Sequence, residues 1–363
     1  MSILITALVS ILIFGLVVLI HELGHFVCAK RAGIQVNEFS IGMGPALLKK
    51  IYNGTQYSIR LLPIGGYVMM EGEDEELEEK ELQSTDWGKA QEPSLQPAGI
   101  PYPQAKVWKR MIVVAAGAIM NFVLGFVVLG VVFGFFSGES LGSSRVVAQV
   151  EPGSVLEQAG LQAGDEIVAI NGHHCFTSGD ISYELSRLQD QTASFTVLRE
   201  GTKIQLEKVT FPVEQQGETQ AMDIGFRVQP VAKTPWNVVK QAASYTVFYA
   251  RLVARSLWDV LTGYTSVNQL SGPVGIVNTI GQATTMGADQ VLSILALITV
   301  NLGVFNLLPF PALDGGKLVF LALEGIFRKP IPKKFEIVVN AAGMLCLFGL
   351  MLYATFNDIL RLF

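Results

Sequence analysis

The sequence predicts a multi-pass α-helical membrane protein with four transmembrane helices, a membrane-associated β-hairpin region and one inserted, mostly β domain of soluble composition. Three observations carry this. Half of the 363 residues are hydrophobic and 16% are charged, against about a quarter charged in soluble proteins, and mean hydropathy is +0.42. Four stretches, Ile3 to about Ala29, Met111 to Phe136, Val291 to Phe310 and Ile337 to Phe356, are long enough to cross about 30 Å of hydrocarbon. From Arg145 to about Pro230, inside residues 138–232, the chain instead alternates short strand and turn signals.

The net charge of -5 comes without a basic tract, which excludes nucleic acid as a favoured partner. Cys28, Cys175 and Cys346 lie far apart with no paired spacing, so they read as packing residues, not as a disulfide framework or a cysteine zinc site.

Residues 1–30 form the first expected helix, which is expected to be retained: no Lys or Arg precedes its apolar run and no small-residue cleavage site follows. Near its end stands His21-Glu22-Leu23-Gly24-His25. Residues four apart share a helix face, so the two imidazoles can take adjacent corners of a tetrahedral metal, with Glu22 as general base. The apolar run upstream places this site inside the membrane. Lys30, Arg31, Lys106, Lys109 and Arg110 flank one loop, 31–106, and Arg328, Lys329, Lys333 and Lys334 fill a second, 316–336. Both loops should therefore be cytoplasmic, and both termini and the inserted domain extracytoplasmic.

Within 31–106, Phe39 to Pro45 and Tyr57 to Met70 read as short strands broken by glycine. Such a sheet either dips into the membrane and offers an edge to an extended peptide or merely props the metal helix. Glu71 to Glu81 carries eight acidic residues and one Lys, a solvated run more than a metal-binding tail, and the stretch to Pro103 reads as a linker. The second helix, 107–137, contains Asn121, which must bond to a neighbour, and Gly117, which permits close approach of another helix. A structural interhelical bond and a functional one remain equally open for Asn121.

In the inserted domain, Ala159-Gly160-Leu161, Gly164-Asp165 and Ile167 follow the order of a bacterial PDZ domain, which this segment resembles. That resemblance makes Ile224-Gly225-Phe226 the expected peptide-binding loop. His173 and His174 beside an Asn-Gly turn read as surface residues. Residues 233–287 are expected to form an amphipathic helix, Trp236 to Thr262, on the outer membrane surface or against the bundle, followed by a connecting loop with Ser271 to Ile276. The third helix, 288–315, and the fourth, 337–363, complete the chain.

Two histidines leave a catalytic zinc one protein ligand short. No further His lies near a span, so the third ligand should be a carboxylate, and Asp314 stands after an apolar run broken by Pro309 and Pro311. The alternative is an Asp that caps a helix before Gly315 and Gly316.

Together these features resemble the site-2 protease family of intramembrane zinc metalloproteases, within it the bacterial regulator-of-sigma-factor branch. The resemblance rests on His-Glu-x-Gly-His, Pro-Ile-Gly-Gly-Tyr-Val, Asn121, the PDZ insertion, Ser-Gly-Pro-Val-Gly and Asn-Leu-Leu-Pro-x-Pro-Ala-Leu-Asp-Gly-Gly. It implies one Zn2+ per chain held by His21, His25 and Asp314, with Glu22 as base, Asn121 structural and Asn306 gripping the substrate backbone. It also implies that the strand from Pro63 to Met70, with Gly65, Gly66, Tyr67 and Val68, receives unwound substrate. The implied substrates are single-span membrane proteins, such as anti-sigma factors or remnant signal peptides, cleaved in a bacterial cell membrane. Lipid is the surrounding partner, and the PDZ domain would dock a peptide. Ala118 replaces a proline common in the family, and one PDZ domain stands where some relatives carry two. The rival readings are a PDZ membrane adaptor with a structural metal staple, which would have no use for Glu22, and a divalent-metal transporter, which would show the repeated halves that this chain lacks.

Overall fold

The computed structural model describes residues 3–73, 99–188, 190–216, 219–222, 224–266 and 271–361. Of the acidic run, 74–81 lies outside the described residues, as does the linker to residue 98; residues 71–73 form a turn. The chain divides into one compact unit made of residues 1–128 and 253–363 and a second made of 129–252.

The first unit is built on four helices long and apolar enough to cross a membrane. Helix α1 (Ile3–Ala32) is an apolar rod closed by Lys30 and Arg31 in its last turn, where cations complement the helix dipole. Strands β1 (Val36–Tyr52) and β2 (Thr55–Met70) follow, joined at Asn53-Gly54, whose positive φ values of 49° and 69° suit a two-residue hairpin turn. Short strands were expected here, yet these run 17 and 16 residues. The glycines do not end them: Gly42, Gly44 and Gly65 adopt positive φ and the register shifts at these bends. Each strand thereby doubles back. Residues 36–41 pair with 66–70 on one side and lie beside 56–59 on the other, and 56–59 pair with 46–51. Among the described residues, nothing pairs with the outer side of 66–70. Met43, Leu47, Leu61 and Leu62 are exposed on this hairpin.

Helix α2 (Val107–Val131) runs unbroken through Ala118 and continues as a π-helical turn, Val132–Phe136. Helices α1 and α2 touch closely, since a Cβ on Gly24 would strike the Ala116 carbonyl. Ala29, Ile34, Val36, Met70, Val113 and Leu321 form the buried apolar core that joins helix and hairpin.

The second unit holds strand β3 (Ser140–Val150), helix α3 (Val155–Gln158), strands β4 (Glu166–Ile170) and β5 (His173–His174), and helix α4 (Ser178–Ser186). Strands β6 (Thr192–Ala193), β7 (Phe195–Arg199), β8 (Thr202–Gln205), β9 (Val209–Thr210), β10 (Val213–Gln216), β11 (Thr219–Met222) and β12 (Phe226–Ala232) follow. The main sheet runs β12-β3-β4-β7-β8 with β5 on β4, so β12 is an edge. Val147, Leu156, Ile167, Ile170 and Phe195 fill its core. Gly160 and Gly164 have φ near +90°, at +91° and +94°, and between them the chain turns so that Asp165 accepts two bonds from Arg199, both at 2.7 Å.

Helix α5 (Pro235–Leu261) spans most of the stretch expected to be amphipathic. The connecting loop expected after it is largely helix α6 (Pro273–Met286): Pro273 sits at the first turn, where its missing N–H costs nothing. Helix α7 (Ala288–Leu307) ends three residues before Phe310 because Pro309 disfavours helical geometry at Leu308, which is extended. Helix α8 (Asp314–Phe327) occupies part of what was expected only as a cytoplasmic segment, and helix α9 (Lys333–Leu360) is longer than the apolar stretch that marked it.

Candidate metal centre

His21 and His25 lie one turn apart on α1 and both are buried. Their Nε2 atoms are 3.2 Å apart. Asp314, almost three hundred residues later, brings Oδ2 to 3.2 Å from His21 Nε2 and 3.4 Å from His25 Nε2. Among the described residues these are the group of His, Cys, Asp and Glu placed to hold a metal ion. Ligands at 2.0–2.1 Å on tetrahedral corners stand about 3.3 Å from one another. The observed triangle has that size. Asp314 Oδ2 is, moreover, buried without a hydrogen-bond donor, a costly state for a carboxylate unless a cation completes it.

Three local devices aim these ligands. The Val113 carbonyl accepts from His25 Nδ1 at 2.8 Å, which leaves Nε2 free to ligate. The Asn121 amide lies 3.2 Å from His21 Nδ1, and Thr299 on α7 donates to the Asn121 carbonyl at 3.2 Å. Asn121 is wholly buried. Gly117, on the turn of α2 between Val113 and Asn121, faces the imidazoles: a Cβ there would strike His25 Nε2 and come within 2.7 Å of His21 Cε1.

The approach to Asp314 is equally constrained. Ala312 has φ +71°, unusual for a residue with a Cβ, and its N–H donates to Asn340 Oδ1 on α9 at 3.1 Å. A side chain on Gly315 would collide with Leu308 backbone and one on Gly316 with Phe310. Leu313 holds the N-cap position, so Asp314 enters the first turn of α8 with its carboxylate turned to the histidines; the helix-capping alternative does not describe it.

The other expected residues fall as follows. Asn306 comes 3.4 Å from both ring nitrogens of His21. Pro63, Gly65, Gly66, Tyr67 and Val68 lie on β2, and a Cβ on Gly66 would sit 3.6 Å from Glu22 Cγ. The Pro63 carbonyl lies 3.0 Å from where a Cβ of Gly15 would be. Ile224, Gly225 and Phe226 belong to the second unit. Gly225 has φ +69° and accepts from Glu151 N at 2.8 Å, while Ile224 and Phe226 pack against the core at the start of β12. His173 and His174 are exposed, with His173 Nδ1 3.3 Å from Glu184 Oε2. Reading the sequence missed Val113, Thr299 and Asn340. The last two carried a signal, since a polar side chain in an apolar helix needs a partner.

The family model for Peptidase family M50 matches residues 9–350. The chain is 32% identical to zinc metalloprotease RasP of Bacillus licheniformis, with 99% of each chain covered. It is also 32% identical to the regulator of sigma-W protease RasP of Bacillus subtilis, again over 99% of each. A putative zinc metalloprotease of Clostridium perfringens is 34% identical over 97% of both chains. With a family match over residues 9–350 and relatives 32–34% identical along nearly its whole length, the chain belongs to peptidase family M50.

Proposed function

We propose that the chain is an intramembrane zinc endopeptidase that hydrolyses peptide bonds within transmembrane segments of single-span proteins. The observation that carries this is the His21, His25 and Asp314 triangle, with both histidines and Glu22 on a helix long and apolar enough to cross a membrane. Zinc bound there supplies a Lewis acid for the scissile carbonyl and lowers the pKa of a water. Glu22 takes the proton from the attacking water and passes it to the leaving amine. An imidazole that ligates through Nε2 carries its proton on Nδ1, so with zinc bound Asn121, whose Nδ2 faces His21 Nδ1 here, would turn its Oδ1 to His21 and its N–H2 towards Thr299. The proximity of Asn306 Nδ2 to His21, 3.4 Å from both ring nitrogens, supports a role in donating to a substrate carbonyl.

Helical substrate hides its backbone in hydrogen bonds and must unwind before attack. The open side of 66–70, next to Glu22, can offset those lost bonds by strand addition. Exposed apolar residues on the hairpin favour its immersion in lipid. In the proposed orientation the metal centre lies towards the cytoplasmic side and the inserted domain outside. That domain is proposed to be a PDZ module in which the edge strand β12, preceded by Gly225, docks extended peptide, and it screens substrates already shortened by another protease. The relative from B. subtilis is named for regulating a sigma factor, and anti-sigma factors or remnant signal peptides are the corresponding substrate class here.

The test is cleavage of a single-span reporter by purified protein in one detergent. Glu22→Gln should keep zinc and lose about 10²–10⁴-fold in rate, whereas Asp314→Ala should lose zinc as well. Equal rates for wild type and Glu22→Gln would end the peptidase mechanism. Removing Val146 to Pro230 should raise cleavage of full-length over pre-shortened substrate; unchanged selectivity would dismiss the screening role.

A further inference from the structure

The hairpin contains a polar network that the hydrolytic chemistry does not use. Glu38 and Ser40 on β1 and Ser58 on β2 are buried. Arg60 reaches across them: its Nε donates to Ser40 Oγ at 2.9 Å, Nη1 to the Gly44 carbonyl at 3.0 Å, and Nη2 to Glu38 Oε1 at 2.9 Å and to the Tyr67 hydroxyl. The guanidinium carbon lies 5.0 Å from the centre of the Tyr67 ring. One planar fork therefore joins the inner segment 36–41, the bend at Gly44 and the edge segment that carries Tyr67.

Strand pairing repeats every two residues, and a glycine-rich edge specifies its register weakly. Gly65 and Gly66 offer no side chains to hold the edge in place, and the pairing around them is interrupted by register shifts. A buried ion pair is a poor source of net stability, but registry is its best-attested use. The rigid guanidinium fork suits that use better than an ammonium would.

We propose that Arg60, with Glu38 and Tyr67, fixes the register of segment 66–70 and thereby selects which peptide bond of a paired substrate is cut. The inference rests on the proposed pairing of substrate with that edge. Arg60 acts through Tyr67 and Ser40, so it is a positioning residue. A slip of two residues preserves the faces of the sheet and moves a paired chain by about 6.8 Å. That carries the original bond away from Glu22 and brings another into its place.

The experiment uses the full chain with its own cysteines changed to alanine, Glu22→Gln to retain substrate, and Val68→Cys to crosslink a set of single-cysteine reporters. With Arg60 intact, one reporter position should dominate. Arg60→Met combined with Glu38→Gln, which leaves no stranded charge, should keep that crosslink position at unchanged zinc content, because a paired chain moves with the edge that holds it. In the Glu22-containing enzyme, mass spectrometry of the products should then find a second cut two residues from the first, and Arg60→Lys should fall between. A single unchanged cut in the double variant, at whatever rate, would overturn the register role. Absence of any crosslink with Arg60 intact would remove the edge pairing itself and this inference with it.

Discussion

At the residue scale, the metal centre depends on a side chain that is absent. Gly117 leaves room for both imidazoles to lie against α2, because a methyl there would meet both rings. Gly117→Ala should therefore weaken zinc binding by about 10–100-fold, as loss of a ligand-orienting neighbour does, while favouring the helix itself by about 1 kcal/mol. Zinc titration against a fluorescent chelator, with circular dichroism to follow the helices, separates these two effects; unchanged zinc affinity would place the imidazoles elsewhere. The histidine pair was legible because spacing of four on a helix puts two side chains on one face. Asp314 was legible because an acid in an apolar context is costly. Val113 was not, since it acts through its carbonyl and any residue type has one.

At the element scale, the loop between α7 and α8 places Asp314, and that loop is held by α9. Asn340 accepts from Ala312, and Gly343 lets Pro311 pack so closely that a Cβ there would come within 2.7 Å of its carbonyl. Asn340→Leu removes the acceptor for a residue already in a disfavoured backbone conformation. We expect about 10–100-fold weaker zinc binding with the four helices intact, measured by zinc competition; wild-type affinity would show that the loop stands unaided. The two prolines marked the break in the sequence; Asn340, a polar residue in an apolar run, signalled that it needs a partner but not that the partner is Ala312 N–H. The helix over 273–286 escaped for a different reason. Gly272, Pro273 and Gly275 read as loop residues, and only the fold reveals that Asp358 on α9 receives the Gly275 N–H at 2.7 Å at that helix start.

At the scale of the whole molecule, the second unit carries its own stabilising charge pair. Burial raises the Asp165 carboxyl, but the bonds from Arg199 and the Gln162 N–H outweigh it and hold the group below the ordinary aspartate value of 3.8. A lowered folded-state value means that the stabilisation is complete above that ordinary value and is lost as pH falls through the folded one. Asp165→Asn should thus reduce hydrogen-exchange protection of residues 147–170 at pH 7, with the difference from wild type closing in acid, as pH falls below the ordinary aspartate value of 3.8 and through the lowered folded one. A difference that persists unchanged in acid would mean that the ion pair contributes nothing. The turn glycines and Asp165 were readable as a motif, but the partner 34 residues onward was not, because an arginine on a strand has no sequence mark of what it faces.

The peptidase centre joins residues from the start of the chain to one near its end. During synthesis, at about 5–20 residues per second, His25 precedes Asp314 by roughly 15 to 60 s. For that interval α1 holds two histidines and a base but no complete centre. On the proposed site the nascent chain would be harmless to the membrane proteins inserted around it, and a chain truncated before residue 314 is expected to be inactive.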